Sequence, residues 1–180
     1  AAMKIARNDL VAEAKAFCTP TGPQRPALAR QAAGLVPEPD RLLEPIRIFE
    51  NLYYVGFSDV GAWIIPTSDG IILFDALNNA DEGRDVLIGG VKKLGFDPAQ
   101  IKYLIITHAH GDHFGGVPYL VDHYHPRVVF SGIDWDVLAN DRNGNNIKRD
   151  YVATDGGKIT LGDTTLTTYL TPGHTPGTLS

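Results

Sequence analysis

From Ile46 onward the chain is a series of short apolar runs separated by turn-forming residues. Ile46-Arg47-Ile48-Phe49, Leu52-Tyr53-Tyr54-Val55-Gly56-Phe57, Ala62-Trp63-Ile64-Ile65 and Ile71-Ile72-Leu73-Phe74 are rich in β-branched and aromatic residues. Asn51, Gly61 and the segment 66–70 punctuate them, so the series predicts an antiparallel meander. The period then lengthens. Leu87, Val91 and Leu94 recur at i, i+4 and i+7, Asn79 and Glu82 form a capping-box pair, and Gly95 supplies a stop. A helix is expected there, followed by a single turn capped by Asp97-Pro98 and a buried strand over Lys102 to Thr107. Val117 to Asp122 reads as helix, Arg127 to Phe130 as strand and Ile133 to Ala139 as helix. The last part predicts hairpins: strands over Lys158 to Leu161 and Thr164 to Leu170, with turns at Asp155-Gly156-Gly157 and Gly162-Asp163.

The first 45 residues have a different texture. Leu10, Ala14 and Phe17 share one face of a short amphipathic helix over residues 4 to 17. Thr19 to Pro45 then carries six of the twelve prolines, a composition that breaks regular structure except for a turn or two of helix over Ala27 to Ala33. The expected organisation is therefore an N-terminal helix and proline-rich arm, 1–45, and a main domain, 46–180.

Composition narrows the function classes. With 43% hydrophobic and 21% charged residues, the 180-residue chain has the make-up of a globular protein with a sizeable core. A formal net charge of −5 without a basic stripe argues against a nucleic-acid partner, and no apolar run reaches the length of a membrane span. Cys18 is the only cysteine, so no internal disulfide can form, and no signal segment is visible at Ala1-Ala2-Met3-Lys4.

The chemistry is concentrated in Thr107-His108-Ala109-His110-Gly111-Asp112-His113-Phe114-Gly115-Gly116, where a buried strand gives way to a loop. Three imidazoles and a carboxylate within six residues are donor types that zinc accepts readily. On an extended backbone, His108 and His110 project to one side, while Asp112 and His113 aim at a second point nearby. Thr171-Pro172-Gly173-His174-Thr175-Pro176-Gly177 then brackets one further histidine between two Pro-Gly pairs, a stiff turn that presents a third imidazole already oriented. Asp141-x-Asn143-x-Asn145 has a faint likeness to a calcium loop. Asn146 stands where the loop needs glycine and Val152 where it needs glutamate, so the segment reads as a loop bordering a substrate cleft. His123 and His125 read as surface residues.

Thr107 to Gly116 together with Thr171 to Gly177, preceded by the strand Ile72-Leu73-Phe74-Asp75, resembles the metallo-β-lactamase fold superfamily of zinc hydrolases. The resemblance covers roughly Asn51 to the end. It implies an α/β fold, the αββα metallo-β-lactamase sandwich, of which this chain supplies the N-terminal half and the start of the C-terminal half. It also implies a dinuclear zinc site. His108, His110 and His174 would bind the first zinc, Asp112 and His113 the second, and Asp75 would support the ligand loop. A metal-bound hydroxide would attack a carbonyl, with Asp112 orienting it and relaying its proton.

The proline-rich arm, Tyr53-Tyr54-Val55-Gly56 and Gly95-Phe96-Asp97-Pro98 look most like the third subclass of metallo-β-lactamases, which are periplasmic and open β-lactam rings. Lactonases, thioester hydrolases, sulfatases and RNA-processing nucleases share much of the same zinc site, and the acidic balance disfavours the last. No Asp or His follows His174, where the superfamily places its remaining second-metal ligands. The expectation is therefore an N-terminal portion of a longer enzyme, with two zincs when complete and one or two here. A partner chain or the remainder of the polypeptide would complete the sandwich. The rival reading is a non-catalytic fragment that binds a single zinc.

Overall fold

The computed structural model describes residues 41–140 and 146–180. The expected helix over residues 4–17, the arm as far as residue 40 and the Asp141-x-Asn143-x-Asn145 segment lie outside them.

A seven-stranded sheet forms the frame, and its strands lie side by side in chain order. The meander is β1 (Leu42–Phe49), β2 (Leu52–Phe57), β3 (Gly61–Thr67) and β4 (Gly70–Phe74), paired antiparallel throughout. β1 begins four residues before the expected Ile46 and includes Pro45. A proline lacks the N–H that a ladder needs, yet β1 is an edge strand, and its register slips between Leu43 and Ile46 to accommodate it.

From β4 the sheet becomes parallel: β5 (Ile101–Ile105), β6 (Arg127–Ser131) and β7 (Tyr151–Ala153) follow. Parallel neighbours need crossovers, and helices provide them. The first, α1, runs over residues 80–93, with α-helical Ala80–Glu82 and Gly89–Lys93 around a π-helical Gly83–Ile88. Asn79 caps it by accepting from the Glu82 N–H at 2.9 Å, while Glu82 reaches back to the Asn78 N–H at 3.2 Å, one residue short of the expected partner. Its end is a Schellman motif: Gly95 lies at φ 86°, and the Phe96 N–H donates to the Val91 carbonyl at 3.1 Å. The second crossover comprises α2 (Gly111–Phe114) and α3 (Val117–Tyr124), and the third is α4 (Gly132–Asn140).

Alternation along the central strands divides the core. Leu73, Leu104 and Phe130 face the helices and pack with Leu87, Val91, Leu120, Trp135 and Leu138. Ile72, Ile105 and Val129 face the other way, onto Ile159 and Leu179 and the hairpin β8 (Lys158–Leu161) and β9 (Thr164–Thr167). Helices, large sheet and the start of a second sheet are thus stacked as an αββα sandwich requires. Both faces of the parallel strands are covered, and their shared direction places the loops at their carboxyl ends at one edge.

Candidate metal centre

That edge is where the chemistry converges. β4 ends at Phe74 and Asp75 follows in the left-handed region at φ 62°, a conformation a non-glycine residue adopts at a cost. The bend turns the Asp75 carboxylate, 4% exposed, back toward the end of β5. It accepts from the Thr107 N–H at 2.8 Å, from the Thr107 hydroxyl at 2.9 Å and from His113 Nδ1 at 2.9 Å. One carboxylate thereby fixes the start of the histidine loop and its last histidine.

Backbone bonds finish the join. Ala76 N–H donates to the His113 carbonyl at 2.7 Å, Gly115 N–H to Leu77 at 2.9 Å and Gly116 N–H to Ala76 at 3.0 Å. This approach explains the paired glycines. A Cβ on Gly115 would lie 1.9 Å from the Asn78 carbonyl oxygen, and one on Gly116 would lie 2.3 Å from that of Ala76.

The backbone from Thr107 to Ala109 bends instead of staying extended, and the His110 N–H reaches the His108 carbonyl at 3.0 Å. The two rings still meet, with centroids 4.8 Å apart. His174 arrives from 64 residues away on a tight loop. Leu170 and Leu179 bridge at its base, Thr171 N–H donates to Thr178 at 2.9 Å, and Leu179 N–H donates to the Thr107 carbonyl at 2.8 Å. The last bond ties the third histidine's loop to the first. The His174 ring centroid sits 4.5 Å from that of His108 and 4.6 Å from that of His110, and His174 Nε2 lies 3.0 Å from His110 Nδ1.

One nitrogen from each of His108, His110 and His174 falls within 4.8 Å of the others, the only such group of three among the described residues. His108 is buried, and its Nε2 has no hydrogen-bond partner. Its Nδ1 lies 3.1 Å from the Thr107 hydroxyl, whose own proton goes to Asp75; Nδ1 is then the protonated nitrogen and Nε2 carries the bare lone pair. Burial first, then the charges of His113, His174 and His110, hold the His108 ring down at about 4, so it is neutral at physiological pH. A buried, unprotonated nitrogen without a partner, on a ring packed against two further imidazoles, is the donor chemistry a zinc site uses.

Asp112 and His113 stand beside this cluster. His113 Nε2 lies 3.7 Å from Asp112 Oδ2, and the Asp112 side chain is half exposed. Burial lowers the His113 pKa, but the hydrogen bond and charge of Asp75, with the charge of Asp112, outweigh it and raise the net value. His123 and His125 lie on the surface away from the cluster, and His125 at φ 52° caps α3.

Sequence reasoning missed Asp134, which is fully buried in the first turn of α4. Its Oδ2 accepts from the Ala109 N–H at 2.9 Å and from the Thr175 hydroxyl at 3.2 Å. The available signal was Ser131-x-x-Asp134 at the end of a parallel strand, a capping pattern in which Ser131 Oγ accepts from the Asp134 N–H at 3.1 Å.

Comparison with known proteins agrees with this geometry. Residues 55–180 match the family model described as the metallo-beta-lactamase superfamily. BJP-1, a subclass B3 metallo-beta-lactamase of Bradyrhizobium japonicum, superposes with a TM-score of 0.71 at 33% identity, over 78% of this chain and 56% of that one. LRA-12, a class B3 di-zinc metallo-beta-lactamase from an Alaskan soil metagenome, gives 0.71 at 29% identity, over 80% and 59%. The N-acyl homoserine lactonase AttM of Agrobacterium fabrum is 34% identical over 99 residues, 48% of this chain and 37% of its own. The chain thus spans little more than half the length of these structures and just over a third of that curated relative.

Proposed function

Because this chain belongs to the metallo-beta-lactamase superfamily, we propose that it carries the zinc site of a hydrolase that opens a cyclic amide, with β-lactams as the substrate class. The observation that supports the metal is the orphaned, buried Nε2 of His108, on a ring clustered with those of His110 and His174. Zinc held by these three residues supplies Lewis acidity, lowering the pKa of a water toward about 7 and polarising a carbonyl.

The chain's own groups do the rest. His108 stays neutral and presents Nε2 because Thr107 occupies Nδ1. Asp75 holds His113 through Nδ1, which turns Nε2 outward beside Asp112. Asp112, half exposed beside His113, orients the attacking water and takes up its proton on a carboxylate oxygen, then passes it to the leaving nitrogen. Asp112 and His113 also offer two donors toward a second zinc. No Ser or Cys nucleophile is required.

The likeness to BJP-1 and LRA-12 supports the β-lactam reading. The match to AttM favours a second reading, hydrolysis of an acyl-homoserine lactone, because the same histidine cluster serves a lactone carbonyl equally well. Resemblance to the third β-lactamase subclass extends the first proposal to a periplasmic location and antibiotic resistance as its cellular effect. Among the described residues no helix is long and apolar enough to cross a membrane. The expected division after residue 45 falls inside β1, so the hydrolase domain we propose starts with that strand at Leu42.

Metal analysis paired with a chromogenic cephalosporin and an acyl-homoserine lactone tests these readings. Bound zinc with chelator-sensitive cephalosporin turnover is the expected result, and lactone turnover alone selects the second reading. One zinc with no turnover of either substrate identifies a non-catalytic zinc binder. His110→Ala should remove one zinc per chain, and unchanged stoichiometry would sink the ligand assignment.

A further inference from the structure

We propose that Asp134 is a positioning residue: it clasps the two histidine loops together and sets a buried negative charge behind the three-histidine site, raising its affinity for a dication. The proposal rests on the metal reading above.

Three elements meet at this side chain. β6 ends at Ser131 and α4 begins at Gly132, so Asp134 projects from the first turn of a helix that starts at the site edge. Its Oδ2 takes the N–H of Ala109, the residue between His108 and His110. The same oxygen takes the hydroxyl of Thr175, which follows His174 and is itself buried. One oxygen therefore joins the loop that carries two of the histidines to the loop that carries the third. No other side chain among the described residues hydrogen-bonds to both of these loops through positions adjacent to all three histidines.

The other oxygen, Oδ1, has no hydrogen-bond partner. Gly177 closes over it: a Cβ there would lie 2.4 Å from Oδ1 and 2.4 Å from Ser131 Oγ. The carboxylate makes no salt bridge with a described Lys, Arg or His. A buried carboxylate with two hydrogen bonds and no cation is only partly compensated. A dication bound by the histidines whose loops it holds would supply the missing charge. Zinc affinity and the cost of burying Asp134 are then two sides of one coupling, because whatever offsets the buried charge also binds more tightly. A neutral amide at 134 keeps an acceptor for Ala109 and Thr175 but forfeits the charge, which separates this role from simple packing.

The test compares the full-length wild type with Asp134→Asn, Asp134→Ala, Thr175→Val and, as a control for lost core packing, Val91→Ala. Zinc affinity is measured by competition with a chromophoric chelator. The cobalt(II)-loaded proteins are compared by visible absorption, and exchange of the Ala109 amide is followed by NMR in the metal-free proteins. Asp134→Asn should weaken zinc binding by roughly 10–100-fold and alter the cobalt spectrum. Thr175→Val should weaken binding less, and Val91→Ala should lower the melting temperature without changing affinity. Unchanged affinity and an unchanged cobalt spectrum in Asp134→Asn would overturn the proposal. A wild type that takes up no zinc overturns the metal reading and the charge role with it. The clasp is then decided by exchange at Ala109, which Asp134→Ala accelerates if the side chain holds the loops and leaves unaltered if it does not.

Discussion

Asp75 and Gly115 show how much single residues at the strand ends carry. Asp75 spends its left-handed backbone on an orientation that serves Thr107 and His113 at once. Gly115 is helical in φ and needs no unusual conformation; its lack of a side chain is what lets the Asn78 carbonyl approach. Gly115→Ala should therefore cost about 1–3 kcal/mol through overpacking against backbone. Gly111→Ala, with open space where its Cβ would go, should leave the melting temperature nearly unchanged. Equal effects of the two substitutions in thermal denaturation would contradict this contrast.

The histidines divide in the same way in the metal-free protein. His108 falls from the ordinary 6.5 to about 4, because burial first, then its neighbouring imidazoles, penalise the charged ring. Its folded pKa is depressed, so its contribution to stability is complete above pH 6.5 and is lost as the pH falls toward 4, where the unfolded chain has already taken the proton. His113 works in the opposite sense: its raised pKa contributes stability below the ordinary value and loses it as the pH rises through the folded one. NMR titration of the rings should find His108 neutral well below pH 6 and His113 protonated above the usual histidine midpoint. A shared midpoint for the two would refute the assignment. His108-x-His110 and the lone His174 were visible as a motif, but nothing in the residue order marks which of the ring nitrogens is left bare. That follows from Thr107 and Asp75 meeting at the loop.

At the level of elements, local rules hold where the partners are local. The Asn79 cap, the Gly95 stop and the Asp97 cap on Ala99 were all legible, because each bond closes within a few residues. Gly95→Ala tests the stop in isolation, since open space surrounds its Cβ position and only the positive φ opposes a side chain. It should cost about 1–2 kcal/mol, and a neutral result in urea denaturation would show that the turn relaxes. Elements were misjudged where long-range contacts decide. β1 runs through Pro45 because an edge strand leaves that position free of a required donor. The bend between His108 and His110 replaces the extended path because the loop must also place Thr107 against Asp75 and Leu179.

For the whole molecule, the parallel strands β4 to β6 deliver Asp75, the histidine loop and the Asp134 helix to one edge, and the loop beyond β9 returns His174 to the same place. Metal bound there would link two loops distant in sequence that Asp75 and Asp134 tie to further strand ends, so its stabilisation should be global. Zinc at a thousandfold excess over its dissociation constant adds about 4 kcal/mol. A chelator should accordingly lower the melting temperature of the whole cooperative transition, and calorimetry that shows no shift would argue against a metal tied into the fold. The amino-acid order by itself determined the alternating strands, the helix ends and a histidine-rich loop at a strand terminus, because periodicity, capping and ligand chemistry are short-range properties. Only the tertiary structure decided which His108 nitrogen is left bare, that Gly115 and Gly116 exist for close approach, and that Asp134 touches both loops. Those relations depend on chain segments tens of residues apart meeting at one sheet edge, and the packing of both sheet faces, not any local pattern, brings them there.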